Sequence, residues 1–260
     1  MMMNIGPNVI PALLLTLLAG LSTGIGSLIA YFIKEPKKLY LSFSLGFSAG
    51  VMIYISFMEL LAGSMEDIGE MWGIGTFFLG ILLIAAIDLA IPEVENPHEY
   101  RDPIRNDDEI NPALMRTGTL MALAIAIHNF PEGLATFSIA LTDLRLGGVI
   151  ALAIAIHNIP EGISVSVPFF YATGNRKKAF FYSFMSGLAE PVGAIIGFLI
   201  LSPFLNAFLL SSLLAFVGGI MVYISLDELL PLAHDYGRNH IVISGIILGM
   251  FIMALSLSLL

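Results

Sequence analysis

The chain has 260 residues, of which 57% are hydrophobic and 12% charged, with a formal net charge of −9 and no cysteine. A soluble domain carries about 25% charged residues, and a globule of this size lacks the interior to hide so much apolar surface, so a soluble enzyme and a disordered chain are both excluded. The missing cysteines remove disulfides, thiolate metal sites and thiol nucleophiles, and the acidic balance argues against nucleic acid as a partner.

A helix needs about 20 mostly apolar residues to cross a bilayer. Segments 8–33, 39–63, 71–92, 113–141, 147–171, 179–201, 205–231 and 241–260 meet that test, predicting one all-α integral membrane domain over 1–260 with eight transmembrane helices. Strands of a membrane barrel would alternate strictly over about 9–11 residues, and no such pattern occurs. The first run lacks the basic start and cleavage pattern of a signal peptide and reads as a retained helix.

Charge fixes the orientation. Lys34, Lys37 and Lys38 follow the first span, Arg101, Arg105 and Arg116 follow the third, Arg176, Lys177 and Lys178 follow the fifth, and Arg238 follows the seventh. Only Arg145 falls on the other side. By the positive-inside rule both termini are extracytoplasmic and the protein is a multi-pass component of the cell membrane. The longest connection, 93–112, holds Glu93, Glu95, Glu99, Asp102, Asp107, Asp108 and Glu109 and reads as a solvated acidic cytoplasmic loop.

Two internal repeats organise the spans. Residues 122–133 (ALAIAIHNFPEG) and 151–162 (ALAIAIHNIPEG) differ at one position, and they lie on spans four and five, which run in opposite directions. Residues 50–61 (GVMIYISFMELL) and 219–230 (GIMVYISLDELL) share eight of twelve positions at an offset of 169, which also superposes Gly24 on Gly193 and Gly80 on Gly249. That offset relates spans 1–3 to spans 6–8 in inverted orientation, around the inverted central pair. This 3+2+3 inverted repeat, with helices 4 and 5 as its central pair, is the architecture of an alternating-access transporter.

Seven acids fall within the spans: Glu59, Asp88, Glu132, Glu161, Glu190, Asp227 and Glu228. A charged side chain at the bilayer centre costs roughly 2.5–3.5 kcal/mol on insertion scales, and no Lys or Arg lies deep in a span to offset it. Either the central acids are protonated or a cation from outside the sequence sits among them. Residues i and i+4 share a helix face, so His128 projects with Glu132 and His157 with Glu161, with Asn129 and Asn158 on the flank. Two inverted helices side by side would join these groups in one midplane cluster. Imidazole suits zinc, copper, iron and nickel, whereas carboxylate and amide oxygens are harder ligands. Pro131 and Pro160 each remove a backbone donor, and kinked backbone at this depth is tolerated where it lines a wet cavity. Glu190-Pro191 repeats the arrangement on span six and offers a third carboxylate.

The remaining acids suit pathway ends or ordinary helix ends. Inversion places Glu59 near the external end of its span and Glu228 near the cytoplasmic end, fitting entrance and exit roles, with Asp88 and Asp227 also near cytoplasmic ends. His98, His234 and His240 fall in cytoplasmic loops and read as surface residues. The 13 methionines read as adaptable packing. Gly20-x3-Gly24, Gly193-x3-Gly197 and Gly245-x3-Gly249 read as close helix contacts.

The paired His-Asn-Phe-Pro-Glu-Gly and His-Asn-Ile-Pro-Glu-Gly motifs, with Ser186-Gly-Leu-Ala-Glu-Pro191, resemble the ZIP (ZRT/IRT-like) metal transporters over essentially the whole chain. The resemblance implies a binuclear centre, one metal held by His128, Glu132, His157 and Glu161. A second would be held by Asn129, Asn158 and Glu190, with Glu132 and Glu161 bridging. It also implies uptake toward the cytoplasm, an elevator-like movement around spans four and five, and a homodimer. The chain departs from family branches with a His-rich loop, since the loop after span three has only His98, and from those with a second His in the span-five motif. Its harder ligand set implies a range including zinc, iron, manganese, cobalt and cadmium, carried as substrate with no resident cofactor. Two other functions stay open from the residues: an intramembrane metal-dependent hydrolase, which lacks a His-Glu-x-x-His motif, and a proton-coupled carrier of another cation.

Overall fold

The computed structural model describes residues 8–32, 38–90, 112–204 and 206–258, and among them every regular element is helical. The elements are α1 (Val9–Phe32), α2 (Lys38–Ile55), α3 (Ala62–Ile68), α4 (Glu70–Ala90), α5 (Pro112–Thr142), α6 (Leu144–Thr173), α7 (Arg176–Gly187), α8 (Ala189–Leu201), α9 (Ala207–Ile224), α10 (Leu230–Tyr236) and α11 (Asn239–Ser258). Among the described residues, seven helical stretches are long and apolar enough to cross a membrane: Val9–Phe32, Leu39–Ile68, Glu70–Leu89, Leu144–Val167, Arg176–Leu201, Ala207–Tyr236 and Asn239–Ser258. The fourth predicted span is also a continuous helix, α5, but it is not among those seven. The acidic segment up to Asn111, with His98, Arg101 and Arg105, lies outside the described residues, as do Lys34 and Lys37.

Local chemistry sets the boundaries. Asp143 accepts from the amides of Arg145 and Leu146 at the start of α6, Asn175 from Lys178 at the start of α7, and Asn206 from Leu209 at the start of α9. Each satisfies an amide that a helix start leaves orphaned. Gly174, at φ 60°, ends α6 in the left-handed conformation that glycine adopts without steric penalty.

Three features depart from eight uninterrupted α-helices. Between α2 and α3, Ser56–Leu61 is π-helical, and between α9 and α10, Ser225–Leu229 is π-helical too. The two begin at the serines that the internal repeat pairs. With these insertions the second and seventh stretches run on to Ile68 and Tyr236, five residues past the ends expected from hydropathy. The third departure is in span six, which breaks at Leu188, between α7 and α8. Pro191 has no N–H, and its ring would collide with the Gly187 carbonyl in a continuous helix. By contrast α5 and α6 remain single helices through Pro131 and Pro160.

Contacts between helix ends establish the direction of the chain. Asn8, just before α1, donates to Leu141 O near the end of α5 (3.0 Å), so α1 and α5 are antiparallel. Arg176, following α6, donates to Tyr31 O near the end of α1 (2.6 Å), so α1 and α6 are parallel. The helices form two groups, with α1, α5, α6, α7 and α8 packed on one another and α2, α4, α9, α10 and α11 packed with α3. They meet where α2 crosses α6 and α9 crosses α5. The largest apolar cluster fills that seam, with Leu45, Met52 and Ile55 from α2, Ile139 from α5, Ile150 and Ile154 from α6, and Met221 from α9.

Backbones approach closely where the glycine spacing predicts. A Cβ on Gly162 would strike the Thr23 carbonyl of α1, and one on Gly133 would strike the Glu190 carbonyl of α8. Gly20 of α1, Gly193 of α8 and Gly245 of α11 likewise face Gly187, Phe130 and Phe43 backbone, whereas Gly24 and Gly197 make room for the Phe184 and Leu134 side chains.

Candidate metal site

The motif helices α5 and α6 lie side by side, and their polar residues meet at the contact. His157 Nε2 is 2.9 Å from Glu132 Oε1, so the imidazole of one copy pairs with the carboxylate of the other. Sequence spacing suggests each His works with the Glu four residues on; the antiparallel packing adds this cross-helix pairing. Asn129, Glu132, His157, Asn158, Glu161 and Glu190 are all 0% exposed. For His128, α5 is described but the side chain is not.

The break at Leu188 brings the third carboxylate in. Glu190 occupies the first turn of α8, where Asn158 donates a short hydrogen bond to its Oε1, and it lies within electrostatic reach of Glu132 and Glu161. Each asparagine is tethered by its amide nitrogen: Asn158 Nδ2 also donates to Ala19 O (3.1 Å) and Asn129 Nδ2 donates to Ser186 O (3.1 Å). That leaves the Oδ1 atoms of Asn129 and Asn158, Glu132 Oε2 and Glu190 Oε2 buried without a hydrogen-bond partner. Buried acceptors without donors are uncommon and costly, about 1–3 kcal/mol each. A bound cation would satisfy such acceptors, as protonation would satisfy the carboxylates. Among the described residues no three His, Asp or Glu side chains are drawn tightly enough to hold an ion by themselves.

No described cationic side chain serves that purpose. Arg145, Arg176, Lys177, Lys178 and Arg238 all stand at or beside helix starts. Arg176 stacks 4.9 Å over the Phe170 ring.

The outer acids separate into two places. Glu59 is half-buried in the first π-helical segment, toward the end where Ser211 donates to Asp67 (2.7 Å). Asp88, Asp227 and Glu228 lie toward the opposite end. Tyr223 donates to Asp88 Oδ2 (3.1 Å), Glu228 is buried, and exposed Asp227 lines a cavity of about 250 Å³ with Ile81, Val222, Tyr223 and Leu226. The contacts described above for the central cluster involve none of these four acids. His234 and His240 prove to be helical rather than in loops, in α10 and the first turn of α11. Both are exposed, with His234 Nδ1 2.6 Å from Leu230 O.

Sequence reasoning missed Ser48. It lies on α2, fully buried, and its hydroxyl donates to Glu161 Oε1 (2.8 Å). Nothing in the surrounding run of Ser, Phe and Gly distinguishes it from helix-packing serines.

An all-helical chain with membrane-length apolar helices and a buried imidazole, carboxylate and amide cluster has the build of a membrane metal transporter. Residues 95–257 match the family model described as "ZIP Zinc transporter", and the chain belongs to that family. It is 54% identical to the zinc transporter ZupT of Clostridium perfringens, covering 97% of this chain and 96% of that one. It is 56% identical to the ZupT of Streptococcus mutans (95% and 97% covered) and 58% identical to that of Chlorobium phaeovibrioides (96% and 98% covered). Membership in a transporter family replaces the hydrolase alternative.

Proposed function

We propose that the chain is an eight-span carrier that takes up divalent metal ions, zinc foremost, across the cell membrane into the cytoplasm by alternating access. The observation that carries this reading is the fully buried cluster around the 2.9 Å His157–Glu132 pair, with its unpartnered acceptor oxygens. One ion would be held by His128, Glu132, His157 and Glu161. A second would be held by Asn129, Asn158 and Glu190, with Glu132 and Glu161 bridging. The names of the relatives support zinc. The donor set is nitrogen and oxygen without sulfur, which favours borderline and harder ions, so iron, manganese, cobalt and cadmium join zinc as substrates.

The architecture follows the same reading. Helix α5, fourth in chain order, brings the spans to eight, and the π-helical segments at paired serines support an inverted 3+2+3 repeat. Arg176, Lys177, Lys178 and Arg238 lie on the cytoplasmic side, leaving both termini outside. All of 1–260 forms one transmembrane domain in the lipid bilayer, and two copies associate as a homodimer.

Competitive uptake into liposomes tests this, with zinc, iron, manganese, cobalt and cadmium offered together at several pH values. The account predicts saturable zinc uptake that the other four ions inhibit. Failure of every ion to enter would overturn it. A dependence on an imposed proton gradient would decide whether protons move with the metal.

A further inference from the structure

Glu161 sits at the seam between the two helix groups. It belongs to α6, whereas the hydroxyl donating to its Oε1 at 2.8 Å comes from Ser48 on α2, in the other group. The same Ser48 Oγ lies 3.4 Å from the His157 carbonyl, one turn earlier on α6, so it faces the backbone and the carboxylate of the motif together. Ser48 is 0% exposed, as are Glu161 and His157. Around it Gly46 and Gly50 pack against Val242 and Ile246 of α11, which anchors this stretch of α2 within its own group. A hydrogen bond becomes ineffective beyond about 3.5 Å, so a small slide of α6 along α2 would break the 2.8 Å contact.

We propose that Ser48 is a positioning residue that holds the Glu161 carboxylate for the metal only while α2 and α6 are in this register, so that metal affinity depends on the contact between the two helix groups. The proposal rests on the metal-site reading above. A carboxylate has about four lone-pair sites, so accepting from Ser48 leaves Glu161 with capacity to ligate an ion. Partners of this kind fix the orientation of a ligand, and removing one typically costs about 10–100-fold in metal affinity. Movement of one group past the other therefore weakens the site as it opens, which favours release over retention.

The test is zinc titration of the purified full-length protein, together with the zinc dependence of uptake in liposomes. For Ser48→Ala the dissociation constant is expected to rise about tenfold or more, with the larger part of the transport loss in KM rather than kcat. Ser48→Thr, which retains the hydroxyl, should recover most of the affinity. In a Glu161→Ala background, Ser48→Ala should weaken binding no further. Ser48→Gly removes the hydroxyl without adding bulk and answers the same question if the alanine variant does not fold. Zinc affinity within twofold of the parent after loss of the hydroxyl overturns the proposal, as does an undiminished effect in the Glu161→Ala background. A parent protein that binds no zinc overturns the metal-site reading itself.

Discussion

Asn158 shows how a neutral side chain shapes an acidic site. Its amide nitrogen donates to the Ala19 carbonyl and to Glu190, tying α6 to both α1 and α8. Asn158→Asp replaces that donor with an acceptor and puts a further buried acid beside Glu190. The metal-free variant should melt lower than Asn158→Ala, and added zinc should recover part of the loss. Thermal unfolding with and without zinc checks this, and equal melting of the two variants would contradict it. Gly162 is decided by shape alone, since any Cβ there meets the Thr23 carbonyl. Gly162→Ala should cost about 1–3 kcal/mol by overpacking, read as a lowered Tm, and it should prise α6 from α1.

At the scale of elements, two irregularities place the chemistry. The break at Leu188 starts a new helix whose first turn carries Glu190 toward Glu132 and Glu161. Pro191→Ala restores the missing N–H and removes the ring clash, so α7 and α8 are expected to join and draw Glu190 out of place. Zinc affinity should fall while the folded protein melts no lower, and unchanged affinity would refute that role for the break. The π-helical segments at Ser56 and Ser225 each insert acids, Glu59 and Glu228, into otherwise apolar helices. Sequence pattern cannot disclose them, because an added residue per turn leaves composition and hydropathy unchanged. Hydropathy also does not mark where these helices end, since α3 and α10 continue beyond the apolar runs with Glu66 and Asp67 in one and His234 and Asp235 in the other. The proline motifs were legible as chemistry but not as geometry. Pro131 and Pro160 sit inside unbroken helices, whereas Pro191 ends one, a difference made by tertiary packing.

At the scale of the molecule, hydropathy was enough to read an all-helical membrane protein, and the HNxPEG pair pointed to α5 and α6, whose polar residues are buried where the two helices meet. Which carboxylate meets which imidazole depended on the antiparallel contact, and Ser48 on a partner helix without any motif. The orientation is open to a direct check because the chain has no cysteine. A single cysteine at exposed Asn206, just before α9, should react with a membrane-impermeant thiol reagent in intact cells. One at Arg238, between α10 and α11, should react only after permeabilisation, and the reverse pattern would invert the topology.

The central claim is that buried carboxylates on α5 and α6 hold a metal ion in transit. Zinc uptake by liposomes containing the parent protein, Glu132→Ala or Glu161→Ala measures it most directly, with equal folded protein in each membrane. The account predicts saturable uptake by the parent and a loss of at least tenfold in each variant, roughly the effect of removing a ligand or its orienting partner. Normal uptake by either variant would contradict it.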